Sequence, residues 1–164
     1  MIERLRRQES GAAAAEMALV APLLIALMFG SMELGHYFYS EHVVVKAVRD
    51  GARFAARQGF SSYACPGATI GGTVVTDTQN VTRTNSVSGT GTPRLAAWTQ
   101  NSTVTVSITC NTSGTFGNFY TGLGGVPVVT VSATVPYNSL FKVIGFNSTG
   151  LQLRATERAA VMGI

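Results

Sequence analysis

Apolar residues run from Ala12 to Met32 with a single charge, Glu16. At 1.5 Å per residue this run forms a helix about 30 Å long, which matches the hydrocarbon core of a bilayer. Pro22 falls inside it and has no amide hydrogen for the Ala18 carbonyl, so a kink is predicted there. Helical periodicity continues beyond Met32. His42, Lys46, Arg49, Asp50, Arg53 and Arg57 fall on one stripe, while Val43, Val44, Ala47, Val48, Gly51, Ala52, Phe54 and Ala55 cover the remaining arc, with Glu41 the exception. The second half of the helix is therefore expected to pack against protein. Continued from Ala12 to about Arg57, it would reach ~70 Å.

After Gly59 the period shortens to that of a strand. Alternation marks Gly72 to Thr76, Thr103 to Cys110 and Val126 to Val135, and Leu151 to Thr156 is suited to close the sheet. Ser86 to Pro93 and Thr112 to Gly125 are rich in turn formers and read as loops. The pattern predicts an α+β protein: a long N-terminal transmembrane and amphipathic helix followed by a small antiparallel β-sheet domain packed on its outer half. Four segments follow: a basic leader over 1–11, a transmembrane helix over 12–39, an external amphipathic helix over 40–58 and a strand-rich external domain over 59–164.

Charge adds direction. The net charge is +4, with Arg4, Arg6 and Arg7 ahead of the apolar run and Lys46, Arg49, Arg53 and Arg57 behind it. Three arginines before the span predict an N-terminus in the cytoplasm and a C-terminal domain outside. The five later cations are scattered, so nothing tracks a phosphate backbone and no nucleic-acid partner is expected. A secretory signal would end in a small-x-small cleavage site. The run leads instead into bulky His36-Tyr37-Phe38-Tyr39, where aromatics suit the outer interface.

Cys65 and Cys110 lack the Cys-x-x-Cys or nearby His pattern of a metal or redox site, so a structural disulfide formed outside the cytoplasm is expected. Catalytic chemistry finds little support. The external part offers Asp77 and Glu157 but no histidine, and His36 and His42 lie on different helix faces, which argues against a metal. Thr121-Gly122-Leu123-Gly124-Gly125 lacks the Lys-Ser/Thr ending of a phosphate loop. Asn-x-Ser/Thr triplets at Asn80, Asn101, Asn111 and Asn147 arise readily in Ser/Thr-rich sequence, and Trp98 is expected in the core.

Gly11, four alanines and Glu16 follow directly after the basic leader. Small residues admit a protease, and Gly11 gives backbone freedom where a Cβ would obstruct. A carboxylate inside a membrane segment costs on the order of 3 kcal/mol and normally has a partner. Cleavage after Gly11 would create one in the new α-amine of Ala12, cationic at neutral pH, on another subunit. The competing reading is that Glu16 marks the helix start, favoured by the macrodipole.

Arg6 to Leu24, with Ser10-Gly11-Ala12-Ala13-Ala14-Ala15-Glu16 at its centre, resembles the opening of TadE-like proteins, the minor pseudopilins of tight-adherence (Tad) pili. Phe29-Gly30-Ser31-Met32-Glu33-Leu34-Gly35 resembles that family's Gly-x-x-Glu-x-Gly segment, and Val48 to Ala56 resembles its Ala-Arg-Glu-Gly-Ala-Arg-Tyr-Ala-Ala block. The likeness thins beyond Arg57 to a strand ending in Val135-Pro136-Tyr137 and the stretch Leu153 to Glu157. Met17 departs from the usual Phe or Tyr.

The resemblance implies a pilin-like fold and cleavage by a prepilin peptidase between Gly11 and Ala12. Glu16 would serve subunit assembly, and Glu33 would meet a neighbouring subunit or the outer headgroups. Implied partners are the peptidase, other pilins and pseudopilins, the inner-membrane assembly platform and membrane lipid, with no cofactor. The implied place is the bacterial inner membrane or the pilus itself. A signal-anchored external binding domain and an exported hydrolase are the competing functions. Arg49, Asp50 and Arg53 are expected to pair along the helix, each pair contributing ~0.2–0.5 kcal/mol.

Overall fold

The computed structural model describes residues 2–113, 120–142, 145 and 148–163, with residues 2–10 described by backbone alone. Helix α1 spans Ile2–Ala56 without a break and passes through Pro22. It begins well before Ala12, correcting the expected start. The leader is rich in Arg, Leu, Gln and Glu, all good helix formers, and isolated Ser10 and Gly11 are too weak to stop it. At its far end the helix is closed by the domain. The Ala56 carbonyl accepts the Met162 amide at 2.8 Å, the Phe54 carbonyl accepts Gln58 Nε2 at 3.0 Å, and Tyr63 donates its hydroxyl to the Ala55 carbonyl. Carbonyls left orphaned at a helix terminus are thereby satisfied.

A short hairpin follows, with β1 (Tyr63–Ala64) paired to β2 (Thr69–Ile70). The stretch from Gly72 to Thr76, expected as a strand, instead enters helix α2 (Val74–Thr84). Five alternating residues were too short a window. Over the longer one, Val74, Thr78, Val81 and Thr82 are buried at helical spacing, Asp77 sits in the first turn, and Thr73 Oγ1 donates to Asp77 Oδ2.

Strands β3 (Val104–Asn111), β4 (Val126–Pro136) and β5 (Gln152–Ala160) form an antiparallel meander in the order β3-β4-β5. Val106 faces Val131 across the first pair, and Val135 faces Leu153 across the second. Along β4 the buried residues Val129, Val131, Ala133 and Val135 alternate with more exposed ones, so one face turns inward.

Helix α1 lies on that face and also packs on α2. Its contribution is Val44, Ala47, Val48, Ala52 and Ala55, all buried, as the apolar arc predicts. Gly51 is where the two helices come closest, since a Cβ there would overlap Thr82 Oγ1. Trp98 is fully buried and donates Nε1–H to Thr103 Oγ1 at 2.8 Å.

The cations and anions of α1 reach across to the domain rather than along the helix. Asp50 Oδ2 accepts Arg94 Nη2 at 2.8 Å, and Arg49 lies 3.8 Å from Glu157 on an exposed surface. This corrects the pairing expected for Arg49, Asp50 and Arg53. At the half-buried Asp50, a guanidinium brought in by the α2–β3 connection is closer to hand than an exposed neighbour on the same helix. Cys65 and Cys110 are bonded, which ties the β1–β2 hairpin to β3.

Candidate assembly and anchoring site

The N-terminal half of α1 stands clear of the rest of the chain. From Gly11 to Val20 every side chain is exposed, and the apolar window suited to crossing a membrane is 0 % buried. Leu19, Leu23 and Leu27 are each more than 60 % exposed, which is costly in water and favourable in lipid. Gly11 has open space around it, with nothing within 4 Å of where a Cβ would stand. It lies within the helix rather than on an extended hinge, so a protease would have to unwind this turn. Glu16 is exposed one turn beyond Ala12, and among the described residues no hydrogen bond or ion pair engages it.

Glu33 has a different environment. The structure buries it to 8 % exposure at the junction between the free and packed halves of α1. Tyr137, just after β4, donates its hydroxyl to Glu33 Oε1 at 2.8 Å, and the Leu140 amide donates to Oε2 at 3.2 Å. Ser139 donates its hydroxyl to the same carboxylate. Glu33 was expected to meet a neighbouring subunit or the headgroups, but its carboxylate is engaged by its own chain. The chain leaving β4 supplies three donors at one spot, and a carboxylate is the group able to accept them all.

His36 extends the cluster, with Nδ1 3.1 Å from the Tyr137 oxygen. Because the tyrosine proton is committed to Glu33, His36 must be the donor, which fixes a proton on Nδ1. Burial, then the hydrogen bond to Glu33 and its charge, push the Tyr137 hydroxyl well above the usual tyrosine range, so it stays protonated. Tyr37 stacks edge-on to Tyr137 at 5.2 Å, and Phe29 packs edge-on to Phe141 at 4.9 Å. The β4–β5 connection is thereby fastened to α1 from Phe29 to Tyr37.

The expected site residues thus fall into three places. Gly11, Ala12, Glu16 and Pro22 lie on the uncovered helix, Glu33 lies at the junction, and Cys65 with Cys110 holds the far side of the domain. Helix geometry separates Glu16 from Glu33 by ~25 Å. Sequence reasoning did not identify Tyr137, Ser139 and the Leu140 amide as partners of Glu33. The signal within reach was a buried-type tyrosine closing the alternation of Val126 to Val135. Among the described residues no cluster of three or more His, Cys, Asp or Glu is placed to hold a metal. Asn147 lies outside the described residues.

No curated protein and no solved structure matches the chain. A family model described as TadE-like protein matches residues 11–53, from the glycine at the proposed cut to the packed end of the helix. Over that segment, which carries Gly11, Glu16 and Glu33, the chain is similar to the TadE-like family.

Proposed function

We propose that this chain is a pseudopilin of a Tad-type pilus or secretion machine. A prepilin peptidase cuts it between Gly11 and Ala12, and helix α1 then anchors it in the inner membrane with the sheet domain outside. The observation that carries the reading is the TadE-like match beginning at Gly11, on a helix whose N-terminal apolar side chains find no cover in their own chain. A TadE-like protein is a pilin-like component associated with Tad pili, and its partners belong to that machinery. The peptidase, neighbouring pilins and pseudopilins, and the assembly platform follow from this reading.

Glu16 takes the role of an assembly charge. Its carboxylate is unengaged among the described residues, and the α-amine exposed by cleavage at Ala12 is cationic at neutral pH. In hydrocarbon, pairing the two on adjacent subunits removes two unfavourable charges together. Intact-mass measurement of the chain made beside a prepilin peptidase tests the first step. Loss of residues 1–11 is expected, and retention of the full N-terminus removes the processing claim. Glu16→Ala is expected to be cut normally yet to fail in pilus production, so normal piliation would refute the charge role.

A further inference from the structure

We infer that the segment following β4, Tyr137 to Lys142, together with Leu151, forms a second membrane contact. On this reading the external domain rests in the outer lipid interface rather than standing above it. This depends on the anchoring reading of α1 and adds to it a surface of the domain itself.

The depth follows from the helix. If Ala12 to Met32 fills the hydrocarbon core, Phe29 lies ~4–5 Å inside its outer boundary at 1.5 Å per residue. Phe141 touches Phe29, with ring centroids 4.9 Å apart. The segment that carries Phe141 must therefore descend to the level of the acyl chains. Its side chains suit that place, since Leu140 is 49 % and Leu151 is 51 % exposed, beside the equally uncovered Leu34 and Phe38 of α1. Lys142, exposed next to Phe141, supplies the cation that anionic headgroups attract.

The segment's amides at Leu140 and Phe141 are provided for as well. A non-helical segment at membrane depth needs internal partners for its amides, because lipid offers none. The Leu140 amide donates to Glu33 Oε2 at 3.2 Å, and the Phe141 amide donates to Ser139 Oγ at 3.1 Å. Glu33 thus acts as the acceptor that lets this segment enter lipid. Between Gly30, Leu34, Tyr37 and Leu151 lies a groove of about 260 Å³, placed for an acyl chain at the same depth. Its walls join the span and the domain into one apolar surface, and the occupant continuous with that surface is lipid.

Both native cysteines are bonded to each other, so an introduced cysteine is the one reactive thiol. Leu140→Cys, Leu24→Cys and Val87→Cys, each made in the full chain, are labelled with a nitroxide. The labelled proteins are placed in vesicles of phosphatidylethanolamine and phosphatidylglycerol in equal parts. Relaxation by oxygen, which enters lipid, is compared with relaxation by a nickel chelate, which stays in water. The expected result is a several-fold higher oxygen-to-nickel ratio at 140 than at 87, approaching that at 24, and Leu151→Cys should repeat it. A lipid signature at 24 with an aqueous one at 140 and 151 overturns this inference and leaves the anchor standing. An aqueous signature at 24 as well removes both. Shielding of 140 from both reagents, relieved by diluting the protein in lipid, also overturns it and assigns the surface to a neighbouring subunit.

Discussion

Tyr137→Phe tests the junction with the smallest possible change, because it removes one oxygen and keeps the ring that packs on Tyr37 and His36. The main loss is a charge-assisted bond, from a buried hydroxyl to a buried carboxylate at 2.8 Å, and His36 Nδ1, which donates to the same oxygen, loses its acceptor as well. Such bonds contribute ~1.5–3 kcal/mol, and the Leu140 and Ser139 donors that remain keep Glu33 from being stranded, so a loss of ~2 kcal/mol is expected. For a domain of this size that corresponds to roughly 5–10 °C in melting temperature. The single tryptophan, Trp98, is fully buried and reports unfolding by fluorescence in lipid nanodiscs. Hydrogen exchange at the Leu140 amide reads the junction directly and should accelerate. Glu33→Gln should cost about as much as Tyr137→Phe. Glu33 uses one oxygen for Tyr137 and the other for Leu140, whereas a carboxamide turns a donor toward one of them. The double variant should lose less than the sum of the two, because both remove the same bond. An unchanged melting temperature together with unchanged Leu140 exchange in Tyr137→Phe would refute the reasoning.

Gly51→Ala should destabilise the domain by ~1–3 kcal/mol through overlap with Thr82, and adding Thr82→Ala should recover much of the loss in a thermal melt. Joint Cys65→Ser and Cys110→Ser substitution opens a loop of sequence separation 45, which in the chain-entropy model costs ~4 kcal/mol in denaturant titration. Burial pushes the Tyr63 hydroxyl up to about 12. The unfolded chain therefore loses this proton first, so stability is full below the ordinary tyrosine value of ~10 and falls as pH rises from there towards 12. Tyr63→Phe should flatten that alkaline decline in a pH series of melts, at the expense of the bond to the Ala55 carbonyl.

The long helix and the three-stranded sheet were legible because each repeats one period over many residues. From Val43 to Ala55 the helical arc foretold the buried face, and in β4 simple alternation did the same. Local pattern misled where tertiary context decided. Gly72 to Thr76 alternates like a strand, yet the next turn of α2 buries Thr78 and Thr82 against Gly51, a contact no five-residue window contains. Asp50 offered itself to Arg53 on its own helix, and Arg94 arrived from far along the chain to take it. Glu33 shows the same limit at the site. A carboxylate beside an apolar run suggests an unmet charge, and its partners lie more than a hundred residues away in sequence.

That difference bears on where subunits would recognise one another. Helix α1 carries two carboxylates in or beside its apolar run, ~25 Å apart and so near opposite faces of a bilayer. Glu33 has its donors supplied within the chain, and a neighbour would have to break those bonds to use it. Glu16 has no donor among the described residues, so nothing within them opposes a partner there. On the proposed function, the drive for lateral pairing would therefore concentrate at the end of the span near the proposed cut. Since the compensating amine exists only after cleavage, assembly would be gated by processing. A chain with Gly11 blocked against the peptidase should insert and fold, judged by its disulfide and Trp98 burial, yet remain unpaired. Lateral crosslinking of uncut chains as efficient as that of cut ones would argue that Glu16 finds its partner elsewhere.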